Sequence, residues 1–405
     1  MAAAATAGAG AAAAQPPRQY KLAPQSELRV EVLPDAPLRV RLVTGTAEIF
    51  GTELPPEGWV PIPPRSKISI FTWHGATVEL DGVSESEYTS DETPMVIYVN
   101  THAILDARRA RARAAAAQGA DLEASQGPRV IVVGPTDSGK STLCKMLLSW
   151  AAKLGWKPTY VDLDIGQGSI TIPGCISATP IEKPIDIVDG IPLEMPLVYF
   201  YGHPNPSINP DVYKVLMKEL DKTLEKQFSG NAESRAAGMV INTMGWVEGL
   251  GYEEKLWKML KDAVQSKPNI DVVKLHKSEG VVLRNSKYRQ KTRSFRIKEY
   301  FYGIANDLAP HSNIVNFSDV FGLQNRWVVI KLPVQPCLSV QSPWQIPPGL
   351  SLLTSARIWF IRNVAGFIHV TDVDIQRKKL TYIAPCPGDL PSRLLIASSL
   401  TWYEA

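Results

Sequence analysis

Residues 134–142 (GPTDSGKST) match the pattern G-x-x-x-x-G-K-[ST], and this motif constrains the fold more than any other feature of the chain. It follows a continuous apolar strand at 130–133 and precedes a stretch with helical spacing at 141–154. Glycines let the backbone curl so that successive N–H groups point at phosphate oxygens, and the helix N-terminus adds the positive end of its dipole. The motif therefore predicts an α/β domain that holds the phosphates of a nucleoside triphosphate.

Individual residues of this loop have predicted roles. Lys140 would bridge the β- and γ-phosphates, and the Ser141 hydroxyl would ligate Mg²⁺. The alternative, a coincidental glycine-rich turn, is disfavoured because both the strand and the helix are in place. The residues predicted to bind the nucleotide are Gly134, Asp137, Ser138, Gly139, Lys140, Ser141 and Thr142.

A second strand, residues 159–163, ends in the sequence DLDIGQ. A carboxylate at the carboxyl end of the strand beside the loop either binds Mg²⁺ or accepts a proton from an attacking hydroxyl. Asp164 lies further toward that end than Asp162. The alternative is that both acids only cap the strand, since Asp is common in such turns. The N-K-x-D motif typical of guanine-specific switches is absent from the sequence, which disfavours a simple GTPase.

Two further features bear on the site. Arg289, Arg293 and Arg296 have i, i+4, i+7 spacing and so share one face of a predicted helix. That helix either folds over the phosphates and holds an RNA backbone, or presents a solvated basic face. Trp246 follows the predicted strand 239–242 on a glycine-rich loop, where it either stacks on a nucleobase or serves as a buried anchor.

The N-terminal part has a different pattern. Residues 28–32, 38–42 and 67–71 alternate apolar with polar side chains, and 95–99 form a more continuous apolar run. Short strands with Pro/Gly-rich connections predict an antiparallel β-sandwich. Further on, strands alternate with helices, which predicts a parallel sheet. Its other predicted elements are strands at 159–163, 197–201, 239–242 and 270–273 and a helix at about 211–228.

The linker region is rich in Ala and Arg, and its arginines between 108 and 113 belong either to a solvated helix or to a nuclear-import patch. After about residue 301, strands and Pro-rich turns return. The predicted fold is thus multidomain α/β, with an antiparallel β-sandwich, a central P-loop sheet with helices on both faces, and a small β-rich domain. The predicted boundaries are a disordered tail (1–18), the sandwich (19–104), a linker (105–126), the P-loop domain (127–303) and a C-terminal domain (304–405).

Composition excludes several classes of protein. The 45% apolar and 20% charged fractions are typical of a globular protein, and no apolar run is long enough to cross a bilayer. Four cysteines far apart in 405 residues are not a disulfide framework and have no metal-ligand spacing. The net charge of +3 does not by itself indicate nucleic-acid binding.

The motifs together resemble the Clp-type polynucleotide 5′-hydroxyl kinases, which are subunits of the pre-mRNA cleavage and polyadenylation machinery. The blocks that carry the resemblance are TGTAEIFGTEL (44–54), IFTWHG (70–75), DETPMVIYVNTH (91–102), GPRVIVVGPTDSGKST (127–142), PTYVDLDIGQGSITIPG (158–174), INTMGWVEGLGY (241–252), FRIKEYFYG (295–303), VAGFIHVTDVD (364–374) and PCPGDLPSRLL (385–395). The family combines an N-terminal β-sandwich, a P-loop kinase domain and a C-terminal β domain.

The resemblance implies transfer of the ATP γ-phosphate to the 5′-hydroxyl of RNA, with Mg²⁺, in the nucleus. It also implies a role for each matching residue. Lys140 is the phosphate lysine, Ser141 or Thr142 and Asp164 serve the metal, and Asp164 activates the 5′-hydroxyl. Gln167 and Trp246 contact RNA, and Arg289, Arg293 and Arg296 form the lid. Glu27 and Lys67 of the sandwich contact the adenine, which nothing else in the sequence would have indicated.

The sequence departs from the family at two places. After Tyr252 a helix and a hydrophobic strand are missing, as though some two dozen residues were absent, and residues 324–362 do not resemble the family. Loss of a central strand would leave backbone groups of its neighbours unpaired. Two functions therefore remain open, an active RNA kinase and a scaffold that binds ATP without turnover and docks cleavage-factor partners.

Overall fold

A computed structural model of the chain describes residues 16–34, 36–191, 196–245, 271–275, 283–304, 306–320, 326–330, 363–390 and 394–397, with Leu400 and Trp402. The chain divides into two compact units, Met1–Thr93 and Pro94–Ala405. Among the described residues, no helix has the length and apolar character needed to cross a membrane.

The N-terminal unit is an antiparallel β-sandwich, as predicted. Its strands are β1 (Arg18–Leu22), β2 (Ser26–Val32), β3 (Leu38–Gly45), β4 (Glu48–Ile49), β5 (Thr52–Glu53), β6 (Trp59–Ile62), β7 (Lys67–Thr72), β8 (Ala76–Gly82) and β9 (Ser84–Ser90). They form two sheets with the orders β1-β8-β3-β6 and β5-β4-β7-β2-β9. In β2, Leu28, Val30 and Val32 are buried. This period-two burial is what packs one face of a sheet against a core.

The predicted strand at 95–99 is wrong. These residues begin helix α1 (Met95–Ala117), which buries Met95, Tyr98, Leu105, Arg109 and Ala112. Buried positions three and four residues apart place the apolar run on one helix face. A short apolar run does not distinguish a buried strand from a buried helix by periodicity alone. The helix also runs without a break across the predicted boundary at 104.

The second unit contains the P-loop domain. Its elements are strands β10 (Arg129–Val132), β11 (Thr159–Asp162), β12 (Cys175–Pro180), β13 (Leu197–Phe200) and β14 (Met239–Asn242) and helices α2 (Lys140–Lys153), α3 (Pro210–Gly230), α4 (Ala232–Ala237) and α5 (Ser286–Tyr302). The sheet has the order β10-β14-β11-β12-β13. Strands β10, β14 and β11 are parallel, whereas β12 is antiparallel to both β11 and β13. The loop from β11 to β12 contains no crossover helix, so this pair is antiparallel.

Helices cover both faces of this sheet, as predicted. On β13, Tyr199 packs in a cluster with Leu216 and Leu220 of α3. The alternate residue Phe200 faces the other way and packs with Ile297 and Phe301 of α5. The α5 cluster also includes residues from the C-terminal part of the chain, namely Phe367, Ile383, Leu400 and Trp402.

A small C-terminal sheet is present, as predicted. It consists of β15 (His311–Asn316), β16 (Arg326–Ile330), β17 (Phe367–Asp374), β18 (Lys379–Ala384) and β19 (Leu394–Ala397), in the order β15-β18-β17-β16-β19. A short helix, α6 (Phe317–Val320), follows β15.

The predicted strand at 270–273 is wrong for residues 271–273. Residues 271–275 have no regular secondary structure and are exposed, with Val272 at 79% and Val273 at 56%. Strand β10 pairs with β14, and no other strand among the described residues pairs with it. A β-rich sequence becomes a strand only when it pairs with another strand, and residues 271–275 have no such neighbour in the described part of the chain.

Candidate active site

The loop between β10 and α2 curls tightly before the helix begins. Asp137 has a φ of 55° and Gly139, the residue before the first helical turn, has a φ of 86°. Ser138 Oγ donates to the carbonyl of Pro135 at 2.7 Å, and Lys140 Nζ donates to the same oxygen at 2.8 Å. Left-handed residues within such a turn direct successive N–H groups into one concavity, the arrangement that binds phosphate.

Lys140 is buried at the N-terminus of helix α2, with 9% of its surface exposed. Burial lowers the pKa of Lys140. Asp164 and Asp137 raise it and Arg289 lowers it further. These charges come from three separate elements, the phosphate loop, the end of β11 and α5. Residues predicted from separate motifs therefore act electrostatically on one ammonium group.

Asp162, the last residue of β11, organises the end of the strand. Its buried carboxylate accepts hydrogen bonds from Ser169 N and Ser169 Oγ, both at 2.7 Å. The other oxygen accepts from Asp164 N at 3.0 Å and from Asn242 Nδ2 at 3.1 Å. The capping alternative considered for both acids thus describes Asp162, whose carboxylate is occupied by neighbouring groups of the protein.

Asp164 has a different environment. Its Oδ1 accepts hydrogen bonds from Gly166 N and Gln167 N, each at 2.9 Å, whereas Oδ2 accepts none from any residue that the structure describes. Desolvation raises the pKa of Asp164, and the charge of Asp162 adds to the increase. The carboxylate is therefore fixed through one oxygen and has the other available for chemistry.

Helix α5 turns the predicted arginines toward these loops. Arg289 Nη2 pairs with Asp137 Oδ2 of the phosphate loop at 2.8 Å. Arg296 Nη2 donates to the carbonyl of Ser169 at 2.8 Å. Burial and nearby Arg289 lower the pKa of Arg293, whereas Asp164 raises it. Arg289 thus contacts the phosphate loop and Arg296 contacts the loop after β11, an arrangement unlike a solvated basic face.

The oxygen donors near the loop suit Mg²⁺. Ser141 Oγ lies 3.5 Å from Asn242 Oδ1, and Asn242 in turn binds Asp162. Within the described residues no group of three or more His, Cys, Asp or Glu side chains could hold a metal by itself. Mg²⁺ keeps several waters and is bound by one or two protein ligands plus substrate phosphates, so Ser141 with a neighbouring carboxylate fits this ion. The metal roles predicted for Thr142 and Asp164 stay predictions.

The other predicted residues are Gln167, Trp246, Glu27 and Lys67. Gln167 is exposed beside Asp164, and Trp246 lies outside the described residues. In the N-terminal unit, Glu27 is buried and accepts from Ser69 Oγ at 2.6 Å, and Lys67 forms an ion pair with Glu31. Their predicted contact with adenine stays a prediction.

Three residues at the site were not identified from the sequence. Asn242 connects Ser141 to Asp162, and Thr136 Oγ1 donates to the Gly245 carbonyl at 2.7 Å. A Cβ on Gly245 would lie 2.3 Å from Thr136 Cα, so the loop after β14 approaches the phosphate loop where only glycine fits. The sequence signal for these residues was their position at or just after the carboxyl end of a parallel strand. Parallel strands of one sheet end at the same edge, where ligands bind.

Comparison with known protein families gives three matches. "mRNA cleavage and polyadenylation factor CLP1 P-loop" matches residues 134–260 and 253–303. "N-terminal beta-sandwich domain of polyadenylation factor" matches 21–112, and "Pre-mRNA cleavage complex II protein Clp1" matches 354–404. The P-loop family thus matches in two stretches that meet where the sequence departs from its pattern.

Among curated proteins, the chain is 55% identical to "Protein CLP1 homolog" of Arabidopsis thaliana, over 96% of this chain and 95% of the relative. It is 36% identical to "Polyribonucleotide 5'-hydroxyl-kinase Clp1" of Homo sapiens, over 96% and 97%. The match to the Arabidopsis relative extends over 424 residues, more than the 405 of this chain, so that relative carries residues that this chain lacks.

Solved structures of similar fold are complexes of Clp1p with Pcf11p. One of them, described for its extended interface and for ATP loss in a point mutant, matches with a TM-score of 0.73 at 21% identity. The match covers 96% of this chain and 99% of the solved chain. The wild-type Clp1p–Pcf11p complex has a TM-score of 0.72, also at 21% identity and with the same coverage. At this identity the likeness establishes the multidomain fold.

Proposed function

The chain belongs to the Clp1 family of mRNA cleavage and polyadenylation factors, and on that premise we propose that it transfers the γ-phosphate of ATP to the 5′-hydroxyl of RNA. The observation that carries the proposal is the convergence of Lys140, Asp164 and Arg289 around the phosphate loop. Phosphoryl transfer needs positioning and charge stabilisation more than covalent chemistry, and these residue types supply both.

The reaction follows from the chemistry of these side chains. The RNA 5′-oxygen attacks the γ-phosphorus, its proton passes to Oδ2 of Asp164, and the bond between the γ-phosphorus and the bridging oxygen of ADP breaks. Lys140 and the lid arginines Arg289 and Arg293 stabilise the charge on the transferred group. Ser141 would hold Mg²⁺, which when bound would supply positive charge that neutralises part of the charge of the phosphates.

The proposal extends to the setting in which the protein works. Two solved relatives of the same fold are bound to Pcf11p, and the matching families are named for pre-mRNA cleavage and polyadenylation. We infer that this chain is an ATP-binding subunit of that machinery in the nucleus, where it contacts other cleavage-factor subunits and RNA with a 5′-hydroxyl end.

A second candidate function is a scaffold that binds ATP without turnover. It is favoured by the sheet, because β10, which carries the phosphate loop, pairs only with β14 among the described strands. The P-loop family matches this chain in two stretches, and the Arabidopsis relative carries residues that this chain lacks. Both observations point to a missing segment. Catalysis requires the acid and the lid to be positioned to within about an ångström, whereas a scaffold requires only that bound nucleotide stabilise the fold.

Two substitutions separate binding from transfer. Lys140→Ala should weaken ATP binding and abolish labelling of a 5′-hydroxyl oligoribonucleotide by γ-labelled ATP. Asp164→Ala should keep ATP binding within a few-fold of wild type and lower transfer by about 10²-fold or more, since proton transfer contributes roughly 10²–10⁴ to such rates. Calorimetric ATP titration and a filter assay on the same preparations measure the two effects. Equal transfer by wild type and Asp164→Ala would refute the assignment of Asp164 as the base. ATP binding by wild type, with no transfer by wild type or by either variant, would establish the scaffold.

A further inference from the structure

The loop after β13, residues 202–209, lies at the same edge of the sheet as the predicted catalytic acid. Strands β11 and β13 are both antiparallel to β12, so they point in the same direction and their carboxyl ends meet one edge. None of the roles predicted above uses this loop. Its sequence, GHPNPSIN, contains one aromatic ring, that of His203.

The strand order places this loop on the acceptor side of the site. The phosphate loop follows β10, Asp164 follows β11 and His203 follows β13, in the spatial order β10-β14-β11-β12-β13. In-line transfer puts the attacking oxygen on the opposite side of the γ-phosphorus from ADP. RNA that enters past Asp164 and continues along this edge of the sheet reaches β13, which is two strand spacings, or about 10 Å, from β11.

Contacts between the two loops support this path. A Cβ placed on Gly166 would lie 3.2 Å from the Pro204 carbonyl, so the loop after β13 touches the turn that holds Asp164. Gly202 N donates to the Gly174 carbonyl at 3.0 Å, which ties the loop to the start of β12. The two loops therefore form one continuous surface.

The loop is rigid where it presents the His203 ring. Tyr201 OH donates to the Pro206 carbonyl at 3.1 Å and accepts from Asn209 N at 2.9 Å, which closes the loop on a buried tyrosine. The His203 ring packs edge-on against the Tyr201 ring, with centroids 5.4 Å apart, and is partly exposed. Burial lowers the pKa of His203 from its ordinary value. A fixed, partly exposed aromatic ring is a stacking surface for a base.

We propose that His203 stacks on a base of the acceptor RNA, downstream of the 5′-terminal nucleotide, and so holds the strand with its 5′-hydroxyl at Asp164. The inference rests on the proposed function, because it needs RNA as the acceptor. His203 would act on acceptor affinity and leave ATP binding unchanged.

The test measures binding of fluorescent 5′-hydroxyl oligoribonucleotides to the full-length chain with a non-hydrolysable ATP analogue, using wild type, His203→Leu and His203→Phe. His203→Leu should weaken binding about 5- to 150-fold, the span of base–aromatic stacking, and His203→Phe should restore most of the loss. His311→Ala, which alters an exposed histidine of β15, is the matched control and should bind as wild type. Unchanged ATP affinity in each variant shows that the fold is intact.

A series of oligonucleotides with one abasic position each identifies stacking as the cause. One abasic position should weaken wild-type binding as much as His203→Leu does and should have no further effect in that variant. The inference is overturned if wild type and His203→Leu bind RNA equally well, or if every abasic position weakens RNA binding additively with His203→Leu. In either case, transfer by wild type would still support the kinase proposal. Failure of wild type to bind 5′-hydroxyl RNA overturns both proposals.

Discussion

Two aspartates two positions apart have different environments at the end of β11. Asp162 is buried and receives hydrogen bonds through both carboxylate oxygens, whereas Asp164 accepts hydrogen bonds from the described residues through Oδ1 alone. The charge of Asp162 also raises the pKa of Asp164. At the scale of single residues, a buried acid that holds the turn makes its neighbour a better proton acceptor.

This arrangement has a consequence for the pH dependence of transfer. Asp164 must be ionised to act as the proposed base, so we expect the rate to fall as pH decreases through the pKa of Asp164, which lies above the ordinary value of 3.8. The measurement is log kcat/KM for the RNA acceptor from pH 7.5 downward, over the range in which circular dichroism shows an intact fold. Asp164→Asn should be slower by about 10²-fold or more and lack this acid limb. An acid limb that persists in Asp164→Asn would assign the titration to another group.

How far the sequence predicted individual residues depended on how local the signal was. The phosphate loop, Lys140 and the spacing of the arginines on α5 follow from contiguous motifs, and in the structure Arg289 of α5 pairs with Asp137 of the phosphate loop. Asn242 and Gly245 were missed because their importance arises only when β14 is inserted between β10 and β11. No property of residues 242–245 alone specifies that neighbourhood.

At the scale of elements, the site depends on how closely two loops approach. The loop after β14 meets the phosphate loop through the bond from Thr136 to the Gly245 carbonyl. A side chain at Gly245 has no space, because its Cβ would lie 2.3 Å from Thr136 Cα and 2.5 Å from Thr136 N. These are backbone atoms, so one of the loops must move to accommodate any side chain.

Gly245→Ala should therefore distort the phosphate loop. We expect ATP affinity to fall about tenfold or more, which corresponds to roughly 1.4 kcal/mol, and thermal stability to fall with it. Gly230→Ala at the end of α3 is the control, because a Cβ there would meet nothing within 4 Å. Calorimetric titration with ATP and thermal melts measure both effects. If Gly245→Ala binds ATP with wild-type affinity, the two loops can move apart without distorting the phosphate loop.

Element predictions failed where an apolar run was ambiguous or lacked a partner. Residues 95–99 fit a buried strand and a buried helix equally well, and the spacing of Met95, Tyr98 and Leu105 decided for the helix. Residues 271–273 have the composition of a strand but lie exposed. Strand formation depends on an edge to pair with, and a single sequence does not specify which edge is available.

For the whole molecule, the sequence predicted the kinds of layer correctly. A sandwich of two antiparallel sheets forms the N-terminal unit, and the second unit contains the P-loop sheet and a small C-terminal sheet. Strand β12 was not predicted, and it runs antiparallel to both of its neighbours in a sheet that was predicted to be parallel. Strand direction depends on connections that local patterns do not encode. The sequence departs from the family pattern after Tyr252, and we expect this departure to bear on activity more than on fold class. The described P-loop sheet still carries the phosphate loop, and Arg289 of α5 pairs with Asp137 of that loop.

The most direct test of the account is the position of the transferred phosphate. The chain is incubated with γ-labelled ATP and Mg²⁺ and either a 5′-hydroxyl or a 5′-phosphorylated oligoribonucleotide of the same sequence, and the products are digested to 5′-mononucleotides. We expect label in the 5′-terminal mononucleotide of the 5′-hydroxyl RNA and none in the phosphorylated RNA. Equal label in both RNAs, or no label in the 5′-hydroxyl RNA from a chain that binds ATP, would contradict the proposed 5′-hydroxyl kinase activity.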